Sequence, residues 1–177
     1  MSRIPTSEEA TRLLKRYGCS PNVVRHCKNV SKLAVEMAKK SQANGAKVDV
    51  KLVEIGGLLH DIGRSKTHGI DHAYVGSRIV MSLNLPESIV KIVERHIGSG
   101  IPSEEAVELG LPNKDFIPET WEEKIVSYSD KLIDGDRRMS FEEALRRFSK
   151  DLGKSHPAVR RFKKLHAELT RIFENLV

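Results

Sequence analysis

Gly57-Leu58-Leu59-His60-Asp61-Ile62-Gly63 is an apolar segment that ends on an adjacent histidine and aspartate just before a glycine. Adjacent side chains on a helix diverge by about 100°, so His60 and Asp61 reach one point only where the helix end closes on a cleft. There they can bind a metal. Further imidazole and carboxylate ligands lie on both sides: His26 before the pair, then His72, His96 and Asp130 after it. Taken together, these residues suggest a metal-dependent hydrolase.

The order of these residues resembles that of the HD superfamily of metal-dependent phosphohydrolases, and His60-Asp61-Ile62-Gly63 matches the HDIG form of its signature letter for letter. The resemblance covers roughly residues 20 to 138, most of the chain. An isolated HD pair is weak evidence. Its weight comes from context: a preceding apolar helix, a histidine one helix upstream and an aspartate downstream. The resemblance implies that His26, His60, Asp61 and Asp130 are a mononuclear ligand set. It also implies that His72 and His96 are the additional histidines of subgroups with two metals, with Asp61 as the bridging carboxylate.

At 177 residues the chain suits one domain with a single substantial core. The expectation is one HD domain over 1–177, its core at about 20–138 and helices flanking both ends. No stretch approaches the roughly 20 apolar residues of a membrane span, and the N-terminus is polar rather than a basic-then-apolar signal. A soluble, cytoplasmic protein with no membrane partner is expected. Cys19 and Cys27 lack the spacing of zinc or redox sites and read as free thiols. The formal charge of +6 fits a partner carrying phosphates, although charge speaks to association rather than chemistry.

Apolar spacing is helical almost throughout, and no sustained alternation argues for a strand. The fold class expected is all-α, a compact helical bundle with a C-terminal amphipathic helix. A first helix follows Ser7 as its cap, carries Ala10, Leu13 and Leu14 inward and ends at Gly18. Ser20 caps the second, with Pro21 at its first position. Val23, His26, Val30, Leu33 and Met37 recur on that helix at three or four residues, which turns His26 to the core. Asp49 caps a third, central helix from Val50 to about Asp61, where Gly56 and Gly57 serve close packing at about 1 kcal/mol each in helix propensity.

The polar segment Arg64 to Gly69 reads as a loop at the mouth of the site. A fourth helix from Ile70 or Asp71 carries His72, Val75, Gly76, Ile79, Val80 and Leu83 on its stripe. Pro86 opens a fifth that delivers His96 before Gly98-Ser99-Gly100 breaks it, and an irregular stretch follows through Pro112 and Pro118. A helix from Glu119 to about Ile133 brings in Asp130. Ser140 caps another from Phe141 to Phe148. The last runs from about Pro157 to the end with Phe162, Leu165, Leu169, Ile172, Phe173 and Leu176 on one face, packed on the domain or on a second subunit of a homodimer.

Imidazole and carboxylate together suit iron, manganese, zinc, nickel or cobalt, and the absence of cysteine ligands argues against a closed structural zinc. Two ions about 3.5 to 4 Å apart activate a hydroxide and neutralise phosphate oxygens, so a dinuclear site is favoured. Taken singly, a histidine on an apolar helix face is more often a packed residue than a ligand. Four inward-facing histidines among only seven strain that explanation. His156 and His166 lack such context and read as solvent-facing or packed. His68, four residues before His72, is a candidate substrate contact or a plain loop residue.

A guanidinium fork matches two phosphate oxygens, and an ammonium provides a mobile charge. Arg64 holds the position after HDIG where family members often carry a basic residue, with Lys66 close behind. Lys131, Arg137 and Arg138 follow Asp130 in a segment that resembles the aspartate-lysine-then-arginine pattern of the symmetrical dinucleoside tetraphosphatases. Ser129, where alanine is more usual, and the stretch between His96 and Asp130 depart from that subgroup. Arg160, Arg161, Lys163 and Lys164 read as the solvated face of the last helix.

The mechanism the resemblance implies is attack on phosphorus by a metal-bound hydroxide that Asp61 orients, with Arg64 and Lys131 stabilising the phosphoryl charge. The substrate is then a phosphorylated small molecule, a nucleotide or dinucleotide cleaved at a phosphoester or phosphoanhydride. Two rivals remain open: a non-catalytic helical module that binds nucleic acid or a protein around a structural metal, and a di-iron HD oxygenase. With three Tyr and one Trp there is little aromatic surface for stacking single-stranded bases, so nucleic acid is not the favoured partner.

Overall fold

The computed structural model describes residues 3–174. Nine helices are seen among them: α1 Ser7–Arg16, α2 Pro21–Ala43, α3 Val50–Leu59, α4 His72–Ser82, α5 Glu87–Arg95, α6 Ser103–Glu108, α7 Trp121–Lys131, α8 Phe141–Leu152 and α9 Pro157–Glu174. The only strands described, β1 Ile133–Asp134 and β2 Arg137–Arg138, form a two-residue antiparallel hairpin. The all-α expectation holds, including the closing amphipathic helix.

The capping chemistry places most boundaries. The Ser20 side chain accepts from the Val23 N–H with Pro21 at the first position of α2, and Asp49 accepts from Leu52 at the start of α3. These contacts satisfy donors that have no partner inside the helix. At α1 the cap is Thr6 in a capping box with Glu9, not Ser7. Ser7 is the first helical residue, and its hydroxyl bonds the Glu54 carboxylate instead. Thr120 caps α7, which therefore begins at Trp121 rather than Glu119. α8 carries a Ser140–Glu143 capping box and runs to Leu152, one turn past Phe148.

Two elements differ from the sequence expectation. The stretch after Gly100 contains α6, six residues with Ala106 buried, too short for periodicity to reveal. After α7 the chain turns at Gly135, at φ +60, in a two-residue loop that pairs Asp134 with Arg137. Glycine at the first loop position favours such hairpins, and the Gly135-Asp136 pair is the signal for it. Leu176 lies outside the described residues.

α3 sits at the centre, as its all-round apolar surface requires. Val53 joins a core built from the distal half of α2 with α7, α8 and α9, including Met37, Ile125, Phe162 and Leu169. Ile55, Leu58 and Leu59 join a second core with Ala10, Leu14, Cys27, Ile89 and Val93 of α1, α2 and α5. Gly56 and Gly57 allow this double burial. A Cβ on Gly56 would stand 2.7 Å from Ile92, and one on Gly57 2.8 Å from the Ser31 Cα. Both thiols, Cys19 and Cys27, are free and buried, as expected. No described helix is long and apolar enough to cross a membrane.

Candidate metal centre

All six expected ligands converge where the end of α3 meets α2, α4, α5 and α7. His26 comes from α2, His60 caps α3, Asp61 follows it, His72 opens α4, His96 caps α5 and Asp130 lies near the end of α7. His60, Asp61, His72 and His96 are buried, whereas His26 and Asp130 are each about one-fifth exposed. His26 Nε2 lies 3.0 Å and His60 Nε2 3.4 Å from Asp130 Oδ1. His72 and His96 place Nε2 3.2 and 3.5 Å from Asp61 Oδ1, while Asp61 Oδ2 lies 3.7 Å from His60 and 3.9 Å from His26. Asp61 thus stands between two groups of imidazoles, with one oxygen toward each.

The far side of three rings fixes their tautomers. His60, His72 and His96 each place Nδ1 2.7 to 2.8 Å from the backbone carbonyl three residues earlier, those of Gly57, Gly69 and Val93. A carbonyl only accepts, so each Nδ1 carries a proton, and Nε2 of each ring is the atom that faces the cluster and that, once unprotonated, can ligate a metal. His72 and His96 consequently bring two Nε2 atoms within 3.1 Å of each other. His60 Nε2 and Asp61 Oδ1 are buried with no hydrogen-bond partner. Buried acceptors facing one another are costly unless a donor or a cation lies among them. The donor set fits a divalent cation. Two triads, His26 with His60 and Asp130, and His60 with Asp61 and His96, keep their ligand atoms within 4.8 Å of one another.

Charge is concentrated accordingly. Burial works against ionising Asp61, yet the surrounding histidines hold its carboxyl well below the usual carboxylate range. Asp130 is likewise held far down, burial being outweighed by Lys131, His26 and His60. Burial above all pushes His96 down to about 4, which keeps its ring neutral, as a metal ligand must be.

Gly63 explains the rest of the tetrapeptide. After Asp61 the chain makes a short 3-10 turn, Ile62–Ser65, where a plain loop was expected. A Cβ on Gly63 would lie 1.9 Å from the His72 carbonyl oxygen and 2.6 Å from the Gly76 N. Only a bare Cα lets this turn lie flat against α4 and bring His72 beside Asp61.

The expected basic residues separate into two groups. Arg64 Nε bonds Asp61 Oδ2 at 2.6 Å. Lys131 Nζ lies 3.4 Å from Asp130 Oδ2 and donates to the His96 carbonyl at 3.3 Å. Both line the cavity above the cluster. Arg137 and Arg138 are instead exposed on the hairpin and pair with Glu143 and Glu36. Lys66 and His68 are exposed in the loop before α4. None of these four lines the cavities beside the cluster. Arg147 does, a residue that sequence reasoning passed over because it sits on a helix with no motif of its own. His156 accepts from the Ala158 N–H at the start of α9 and also lines the cavity above the cluster, whereas His166 stacks on Phe141 as part of the packing.

Comparison with known proteins agrees with this geometry. A family model described as HD domain matches residues 23–134. An uncharacterized protein of Methanocaldococcus jannaschii is 49% identical over 167 residues, covering 94% of this chain and 98% of that one. A tRNA (cytidine(56)-2'-O)-methyltransferase of Picrophilus torridus is 44% identical over 170 residues, 96% of this chain but 48% of the methyltransferase. The chain therefore spans about half the length of that relative. Among solved structures, the HD domain of the L. monocytogenes phosphodiesterase PgpH, in complex with cyclic-di-AMP, matches with a TM-score of 0.56 at 16% identity over 96% of this chain and 99% of that one. That likeness is one of fold.

Proposed function

Because the chain belongs to the HD-domain family, we propose that it is a metal-dependent phosphohydrolase that cleaves a phosphoester or phosphoanhydride of a nucleotide or dinucleotide. The observation that carries this reading is the convergence of His60 Nε2, Asp61 Oδ1, His72 Nε2 and His96 Nε2 on one buried point, with the opposite ring nitrogens committed to carbonyls. His26, His60, Asp130 and Asp61 Oδ2 would hold one divalent ion, and Asp61 Oδ1 with His72 and His96 a second. Such a pair supplies positive charge against phosphate oxygens and a nucleophilic water at neutral pH.

The chain's own residues do the rest. Asp61 aligns both halves of the cluster and is itself aligned by Arg64 Nε. The remaining guanidinium nitrogens of Arg64 and the Lys131 ammonium sit at the cavity wall, where they take the phosphoryl charge as it develops. Lys131 also ties the end of α5 to α7 through the His96 carbonyl, which Ser127 Oγ holds at 2.8 Å as well.

The test is elemental analysis of protein purified without chelator, joined to a hydrolysis panel of nucleotides, dinucleoside polyphosphates and phosphodiesters with iron, manganese, zinc, nickel or cobalt. Bound divalent metal and turnover that chelation removes and one ion restores, with or without oxygen, is the expected result. Protein that is metal-free and inert with every ion would sink the proposal. The tRNA methyltransferase relative and the charge of +6 favour one further reading, in which the scissile phosphate belongs to an RNA. Short RNA oligonucleotides in the same panel decide it: turnover confined to RNA, with affinity falling steeply in salt, selects that reading.

A further inference from the structure

Two cavities open on the cluster, and they meet at Arg64, Asp130, Lys131 and Phe148, which line both. The first, of about 380 Å³, also reaches His72 and His96; its wall is mostly apolar, with Ile70, Ile97, Ile101, Leu109 and Leu152, and carries Glu105, Glu108 and His156 as well. Ile70, Leu109 and Leu152 are 41 to 43% exposed there, unusual for large apolar side chains. The second, of about 390 Å³, is walled by Asp134, Arg147 and Asp151 beside Met139 and Ala144. Each is of a size that holds a small organic molecule, about 300 to 1,000 Å³.

α8 is the partition. Phe148 and Leu152 lie one turn apart and face the apolar cavity, while Arg147 and Asp151, also one turn apart, face the polar one. The Arg147 guanidinium is held over the second cavity by Asp134 at 2.5 Å.

On the strength of the hydrolase reading above, we infer that the substrate carries two arms on its scissile phosphate: a phosphodiester joining two nucleosides. The phosphate sits at the shared wall, against Arg64 and Lys131. One base lies in the apolar cavity against Phe148, Leu152 and Leu109, where a flat aromatic gains the most from leaving water. The other nucleoside lies in the polar cavity, its ribose hydroxyls donating to Asp151 and Asp134 and its acceptors meeting Arg147. Water adds across one P–O bond: the oxygen bonds to phosphorus, the bond to one ribose oxygen breaks, and that oxygen leaves with a proton. A monoester would fill one cavity and leave the other wet, forfeiting half of the binding energy.

The full chain, supplied with each metal in turn, is assayed with adenylyl-(3′→5′)-adenosine, adenosine 5′-monophosphate and bis(p-nitrophenyl) phosphate. Arg147→Ala and Leu152→Ala are assayed alongside; both side chains are about half exposed, 55% and 42%, so neither change should unfold the protein. We expect kcat/KM for the dinucleotide to exceed that for the monophosphate at least about tenfold, and Arg147→Ala to lower this ratio about fivefold or more. Leu152→Ala is expected to lower kcat/KM for both nucleotides. Equal turnover of diester and monoester, or a ratio that Arg147→Ala leaves unmoved, overturns the two-armed substrate and spares the hydrolase. Failure to turn over any of the three with any ion overturns the two-armed substrate, and the hydrolase falls with it only if the phosphoanhydrides of the wider panel are also left intact.

Discussion

Buried or half-buried histidines serve opposite ends in two parts of this molecule. Under α9, His166 shares a 2.6 Å hydrogen bond with the Tyr128 hydroxyl and stacks on Phe141 at 3.6 Å with the rings nearly parallel. Its ring is one more piece of core. At the end of α3, by contrast, His60, His72 and His96 spend one nitrogen on a carbonyl and aim the other into the cluster, at Asp61, at Asp130 or at one another. Helix periodicity turns both kinds inward. What separates them is whether the inward nitrogen finds a donor, and a cluster of acceptors with none is a place for a cation.

That contrast can be broken from either side. Replacing the carboxylate that both groups of histidines share should have the largest effect: Asp61→Ala is expected to lose bound metal, and kcat/KM to fall about 10³-fold or more, while far-UV circular dichroism stays close to that of the parent. Retained turnover would mean that the histidines are packing after all. Gly63→Ala forces the turn away from the 1.9 Å approach to the His72 carbonyl. It is expected to cost about 1 to 3 kcal/mol in chemical denaturation and to weaken metal binding about 10- to 100-fold, as loss of a positioning contact does.

Chelation should act only on the first region. Removing an ion present at about 100 times its dissociation constant removes about 2.7 kcal/mol of stability, seen as a lower Tm that fresh metal restores. An unchanged Tm would argue that nothing bridges α2, α4, α5 and α7. The smallest effect belongs to the second region. His166→Phe keeps the stack on Phe141 and removes the partner of the Tyr128 hydroxyl, at about 1 to 3 kcal/mol. Metal content and the ratio of diester to monoester turnover are expected to stay as they were; a loss of metal would erase the distinction between the two regions.

The sequence made these two regions legible to different depths. His60-Asp61-Ile62-Gly63 and the caps Ser20, Asp49 and Ser140 are local signals, and the helices that these caps open start where the reading placed them, although α3 ends two residues earlier and α8 one turn later than expected. The convergence of His26, His72, His96 and Asp130 on His60-Asp61 followed from inward stripes and from a family order, and the structure brings all six together. Less accessible was anything set by contacts between distant segments. Arg137 and Arg138 follow Asp130 closely in sequence, but the Gly135 turn carries them out to Glu143 and Glu36. Arg147 takes a place at the cavity because α8 folds back across it. The role of Gly63 was also hidden, since its partner is the backbone of α4 rather than a side chain with a signature.

The hydrogen bond between His26 and Asp130 closes over 104 residues of chain. Loop closure over such a span costs entropy that only an already assembled bundle repays. A nascent chain carries His26, His60, Asp61, His72 and His96 before α7 emerges, but it lacks Asp130, the carboxylate that His26 and His60 face. The half of the cluster built on Asp130 is therefore complete only once the last part of the bundle has packed.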